Sequence, residues 1–192
     1  MKKAVLFVMT AASLIAASPV LAMDNVKDLA STCNACHGLN GVSVGPTMPS
    51  IGGLPELYLK NVMLQWKNGD RYSATMGRHF KGYSDAEIAA LATYFSKMPY
   101  VPVVQKADAK VVAQGKDASE RCETCHGATG SEPDDNETPK INGQWAQYMH
   151  LEMLKYRNDA VKMPHRKMRG NIKKLEEADV EAVAKFYAAQ PK

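Results

Sequence analysis

Five residues, Cys33-Asn34-Ala35-Cys36-His37, recur 89 positions later as Cys122-Glu123-Thr124-Cys125-His126, and the two copies together use every cysteine in the chain. Cys-x-x-Cys-His is the c-type haem attachment pattern: both thiols add to haem vinyl groups, and the adjacent imidazole ligates the iron. The spacing has a mechanical basis. Residues three and four apart on a helical turn share a face, so two sulfurs and one ring nitrogen can converge on one side of a flat macrocycle. Each copy must therefore be wrapped around a haem of its own. Cys33, Cys36, Cys122 and Cys125 are the candidates for holding two covalently bound haem c groups, and His37 and His126 are the candidate proximal ligands.

The N-terminus points to export. Lys2 and Lys3 precede an apolar run from Ala4 to Ile15, and Val20-Leu21-Ala22 supplies the small residue a signal peptidase prefers at its cut. Residues 1–22 read as a signal peptide, with the mature chain starting at Met23. Ser18-Pro19 breaks the run short of the ~20 residues a membrane span needs. Loss of Lys2 and Lys3 takes the formal net charge from +4 to +2. With no basic stripe interleaved with aromatics, nothing argues for nucleic-acid binding. A secreted chain with four cysteines could also be a disulfide scaffold, but the histidine closing each pair would then be unexplained. A four-cysteine zinc site would join two repeats that each look complete. Thioredoxin-like chemistry needs a βαβ pattern that is absent.

The duplication extends beyond the motifs. Pro49-Ser50-Ile51-Gly52-Gly53 returns as Pro139-Lys140-Ile141-Asn142-Gly143, and Met63-Leu64-Gln65-Trp66-Lys67-Asn68 as Met153-Leu154-Lys155-Tyr156-Arg157-Asn158. Val26, Leu29, Ala30 and Cys33 fall at helical spacing ahead of the first motif. Ile88, Leu91, Ala92 and Phe95 form an i, i+3, i+4, i+7 stripe, matched by Val180, Val183, Ala184 and Tyr187. Each repeat reads as a helix carrying the motif, a middle helix and a final helix, with no competing strand pattern. Ser84-Asp85-Ala86-Glu87 is a capping box before the last helix of the first repeat, and Pro55 fits the first turn of the middle one. Pro99 and Pro102 forbid a continuous helix at the join. The expected fold is all-α, with two tandem lobes at 23–98 and 111–192 joined by a linker at 99–110. Lobes this small need a nucleus, which a covalently held macrocycle would supply.

The second axial ligand decides whether a haem carries electrons or reacts with small molecules. Met76 and Met168 lie after the middle helices, seven residues before Tyr83 and Leu175, which hold matching places ahead of the final helices. A thioether opposite histidine raises the reduction potential and fills the coordination site, which disfavours peroxidase-like chemistry. Met163 is the rival for the second iron, and register favours Met168. His79, His150 and His165 read as exposed or partly packed, with His79 a minor alternative ligand for the first iron. Met63 and Met153 read as core filler, and Met48 as packing near the haem edge. Pro46 and Pro133 follow the two histidines at similar distances, where a backbone carbonyl could accept a hydrogen bond from each imidazole. The acidic loop Glu132 to Glu137 and the basic stretch Lys162 to Lys174 read as solvated faces, or as docking and propionate-pairing surfaces beside the second haem.

With these residues in view, the mature chain resembles the periplasmic diheme cytochromes built from two fused class I cytochrome c units. Among them it is most similar to the cytochrome subunit of flavocytochrome c sulfide dehydrogenase. The resemblance is carried by Ser43-Val44-Gly45-Pro46, Met76-Gly77-Arg78 with Lys81-Gly82-Tyr83-Ser84, Gly143-Gln144-Trp145 and Lys167-Met168. It implies a non-catalytic electron-transfer subunit in the periplasm. Electrons would come from a separate FAD-containing subunit that oxidises sulfide and pass to a small soluble cytochrome c. The chain itself has no Gly-x-Gly-x-x-Gly after a strand to hold a flavin. The alternative is an independent diheme shuttle to a terminal oxidase or another redox enzyme. Met163-Pro164-His165 departs from the family pattern in the second distal segment.

Overall fold

A computed structural model describes residues 26–191; the leader read at 1–22 and the start of the first lobe at Met23 lie outside the described residues. Among the described residues every regular element is helical, as expected of an all-α chain. The first lobe comprises α1 (Val26–Ser31), α2 (Asn34–His37), α3 (Glu56–Asn68), α4 (Met76–His79) and α5 (Asp85–Ser96). The second comprises α6 (Ala109–Ala118), α7 (Glu120–His126), α8 (Ala146–Arg157), α9 (Arg166–Ile172) and α10 (Glu177–Ala188). Helix α6 starts inside the segment read as linker.

Each lobe has its own core. Ile88, Leu91, Ala92 and Phe95 are each at most 3 % exposed, and α5 sets this stripe against α3 and α1. Val180, Val183, Ala184 and Tyr187 do the same on α10 against α6 and α8. The periodicity works because one face of each final helix is apolar at 3.6-residue spacing and has a neighbour to cover it. At the α6–α10 crossing the backbones approach closely: a Cβ on Gly115 would sit 2.0 Å from the Ala182 carbonyl oxygen. Any side chain there would push the helices apart.

Local signals set the ends. Ser84 Oγ accepts from the Glu87 backbone N–H at 3.2 Å while a Glu87 carboxylate oxygen accepts from the Ser84 N–H at 2.7 Å, which is the capping box read from the sequence. Pro55 stands as the cap of α3, one residue outside the helix. The motif helix is stepped. α1 stops at Ser31 and α2 begins at Asn34, and likewise α6 ends at Ala118 before α7 starts.

The join is zipped onto the second lobe. Tyr100 Oη donates to the Asn142 carbonyl at 2.6 Å, the Val103 N–H to the Gly143 carbonyl at 2.8 Å, and the Gln105 N–H to the Ala188 carbonyl at 3.0 Å. Contacts between the lobes are as specific. The buried Gln144 side chain accepts from the Ser50 N–H and donates to the Ser50 carbonyl, both at 2.9 Å, and Trp145 Nε1 donates to the Ser43 carbonyl at 3.2 Å. These bonds hold the lobes in one relative placement. No described helix is long and apolar enough to cross a membrane.

Candidate haem sites

Each lobe opens into a crevice walled mainly by apolar side chains, of about 800 Å³ in the first and about 1340 Å³ in the second, counting the open space at their mouths. Cys33, His37 and Met76 line the first, together with Met63, Trp66, Phe80, Leu91 and Phe95. Cys122, Cys125, His126 and Met168 line the second, together with Met153, Ile172, Val183 and Tyr187. Cys33 thus lines a different crevice from Cys122 and Cys125, so the four cysteines do not converge on one centre. Cys36 is exposed at the mouth of its motif.

Both motif histidines are buried, His37 at 8 % exposure and His126 at 6 %. His37 Nδ1 lies 2.8 Å from the Pro49 carbonyl oxygen and His126 Nδ1 lies 3.0 Å from that of Pro139. A carbonyl can only accept, so Nδ1 carries the proton in each ring and Nε2 keeps its lone pair for a metal. Burial, the dominant cause, lowers both imidazole pKa values below the ordinary 6.5, against the opposing carbonyl bonds, and so favours the neutral ligating form. Burial raises the Cys33 thiol and pushes Cys122 up to about 11, with Glu123 and Cys125 adding to the latter.

The carbonyl partners correct one expectation. They belong to Pro49 and Pro139, not to Pro46 and Pro133. Pro49 and Pro139 are register mates in the duplicated Pro-x-Ile-x-Gly stretch, so the repeat itself carried the signal. Distance along the chain from each histidine misled because the intervening loop differs between lobes. Met48 is also corrected: at 39 % exposed it faces solvent and lines neither crevice.

The distal segments are short helices. Met76 opens α4, its backbone N–H donating to Ser73 Oγ at 3.1 Å, and Met168 lies in α9. Met163 is buried in the second core and does not line the crevice. His79 is exposed, and its ring lies 5.5 Å from that of Tyr83. His165 lines the second crevice from the left-handed region, with φ 63° and ψ 76°, an uncommon conformation for a residue with a side chain. The acidic loop folds on itself: Asp135 Oδ1 accepts from the Glu137 and Thr138 N–H groups at 2.8 and 2.7 Å. Part of the basic stretch is paired, with Arg169 and Lys173 both meeting Asp159.

Three buried donors without partners, one of them the Tyr187 hydroxyl on the second crevice, fit the crevices to an anionic, largely apolar cofactor. Trp66 Nε1 borders the first crevice and Arg71 Nε the second. A haem offers a flat apolar body and two carboxylates, which matches both features. Sequence reasoning had missed Arg71, Gln144 as a clamp, and the crossing of residues from each lobe into the other's crevice. Tyr58, Pro139, Ile141, Tyr148 and Met149 line both, so the two sites share a wall.

No family model matches the chain. It is 30 % identical over 180 residues to cytochrome c4 of Azotobacter vinelandii, covering 82 % of this chain and 83 % of that protein. The chain belongs to the diheme class I cytochromes c. This cytochrome is also 30 % identical over 174 residues to the thiosulfate dehydrogenase electron acceptor of Thiomonas intermedia, covering 84 % of this chain and 80 % of that one. To the cytochrome subunit of sulfide dehydrogenase of Chlorobaculum tepidum it is 41 % identical over 70 residues, which is 36 % of this chain and 63 % of that subunit. The crystal structure of reduced recombinant cytochrome c4 from Pseudomonas stutzeri superposes with a TM-score of 0.78 at 25 % identity, over 88 % of this chain and 98 % of that one. The cytochrome therefore carries two covalently bound haem c groups on two tandem class I cytochrome c domains, and it is an electron-transfer protein rather than an enzyme.

Proposed function

We propose that this diheme cytochrome is the electron-transfer subunit of a periplasmic sulfide-oxidising flavoenzyme. It accepts electrons from an FAD-containing subunit and passes them singly to a small soluble cytochrome c. In this reading residues 1–22 are removed on export, 23–98 and 111–192 are the haem lobes, and 99–110 joins them. Cys33 with Cys36, and Cys122 with Cys125, bind the haems covalently. His37 with Met76, and His126 with Met168, would hold the two irons.

The observation that carries a relay is the wall shared by the two crevices, because it makes their cofactors neighbours. When bound, haem supplies one-electron chemistry, whereas a flavin yields electrons in pairs. Two adjoining haems suit that mismatch. The protein's part is to position and to exclude water. The Pro49 and Pro139 carbonyls orient the imidazoles, and the apolar walls keep the iron environment dry. The sulfide-oxidising partner is supported by the likeness to the Chlorobaculum tepidum subunit and by the Met76-Gly77-Arg78 to Lys81-Gly82-Tyr83-Ser84 stretch.

An independent diheme carrier is the second reading. The likeness along most of the chain to cytochrome c4 and to an electron acceptor of thiosulfate dehydrogenase favours it. Mixing the purified cytochrome with sulfide, alone and with the candidate flavoprotein, separates the two. The flavoenzyme reading expects slow haem reduction alone, fast reduction with the flavoprotein, and a stable complex between them. Fast reduction by sulfide alone, or no complex, leaves the independent carrier.

A further inference from the structure

Arg71 is the most buried cation of the described residues, 7 % exposed, and it belongs to the first lobe while lining the crevice of the second. Its place follows from the end of α3. Gly69 takes φ 74° as the left-handed cap and turns the chain off the helix. The next three residues then cross to the other lobe. Asp70 pairs with Lys162 at 2.9 Å, Arg71 meets Glu152 at 3.3 Å and Tyr156 Oη at 3.3 Å, and the Tyr72 N–H donates to the Lys162 carbonyl at 2.8 Å.

These partners do not satisfy the guanidinium. Glu152 is shared with Lys155, both Arg71 contacts are long for charge-assisted bonds, and Nε has no acceptor. An orphaned donor on a buried cation has given up its water without a replacement, so it favours an acceptor seated beside it. The crevice it borders also holds Glu137 and Glu152, so an anionic group seated nearby needs a buried cation beside it. The other cations on that wall, Arg121 and Lys167, are exposed. Among the described residues no arginine lines the first crevice; its cation is the half-buried Lys140.

Resting on the haem reading of that crevice, we propose that Arg71 is a positioning residue for the second lobe's cofactor, its Nε–H donating to a haem carboxylate. Docking of the lobes then completes the second site, which neither lobe holds alone. The guanidinium offsets the carboxylate's charge close to the iron and so favours the reduced state of that haem over the other.

The test uses the haem-loaded full chain and the variants R71Q and R71K. Haem content measured first checks the underlying reading: anything other than two covalent haems in the parent protein sinks that reading and leaves Arg71 aside. With two haems present, spectroelectrochemical titration resolves two one-electron steps. In R71Q one step moves to lower potential by about tenfold in its equilibrium constant, or about 59 mV, while the other stays. The propionate bending band in the resonance Raman spectrum shifts for one haem only. R71K restores most of the potential but not the band, and where R71Q does not fold, the R71K band shift is the deciding measurement. Unmoved steps and bands, even with a lowered melting temperature, would make Arg71 a clamp between lobes and nothing more. Equal movement of both steps would likewise overturn the assignment.

Discussion

Replacing Gln144 with leucine removes the bonds that tie the second lobe to the loop beneath His37. Gln144 is 4 % exposed and Ser50 5 %, so the Ser50 N–H and carbonyl left behind have little access to water. Each buried group stripped of its partner costs about 1–3 kcal/mol. Crediting leucine with some apolar burial leaves a loss of about 3 kcal/mol. For a chain of this size that lowers the melting temperature by about 6–12 °C. Ser50 directly follows Pro49, whose carbonyl holds the His37 ring, so the first haem should feel a substitution made in the other lobe. Thermal melts of the haem-loaded Gln144→Leu variant by circular dichroism measure the first effect, and the temperature at which the ferric Met-to-iron absorption of the first haem disappears measures the second. A melting shift under about 2 °C would refute the reasoning, because it would mean the clamp carries no net energy.

Met76→His and Met168→His should each keep low-spin haem and lower the potential of one centre, within the span of about 0.8 V that axial ligands command. Met168→Ala, and not Met163→Ala, should abolish the far-red band of the second centre; the reverse result assigns Met163. Intact mass after denaturation should equal the chain from Met23 plus two haems, and haem extracted by acidic acetone would contradict covalent attachment. Gly115→Ala should destabilise the second lobe by several kcal/mol or force α6 off α10, checked by thermal melting. The His37 and His126 imidazoles have folded pKa values lowered below 6.5 by burial. Protonation therefore favours the unfolded chain, and their contribution is fully present above about pH 6.5 and lost as pH falls through the lowered values. Melting temperatures of the chain without haem, its imidazoles unligated, measured at about pH 7.5 and 5.5 should show this decline, and a flat profile would argue against it.

Local pattern was enough for the architecture. The doubled Cys-x-x-Cys-His, the stripes ending in Phe95 and Tyr187, and the Ser84–Glu87 box act within one or two helical turns, so neighbours in sequence determine their geometry. The candidate ligands could be named for the same reason: a haem imposes its spacing on adjacent residues, and the duplication gave each position a second reading. Register placed Met168 ahead of Met163, and it is Met168 that lines the second crevice. Where register was set aside for distance along the chain, Pro46 and Pro133 were named in place of Pro49 and Pro139.

What the tertiary structure alone decided lies between the lobes. Gln144 has no glutamine mate in the first repeat and Arg71 no arginine mate in the second, so comparing the halves could not mark either. Their roles depend on partners 94 and 81 residues away, and such pairings follow from how two separate cores are docked. A side chain's hydrogen bonds are set by what surrounds it after packing, not by its own periodicity. The shared wall of Tyr58, Ile141 and Tyr148 arises in the same way, as apolar surface that neither lobe can cover until the other arrives.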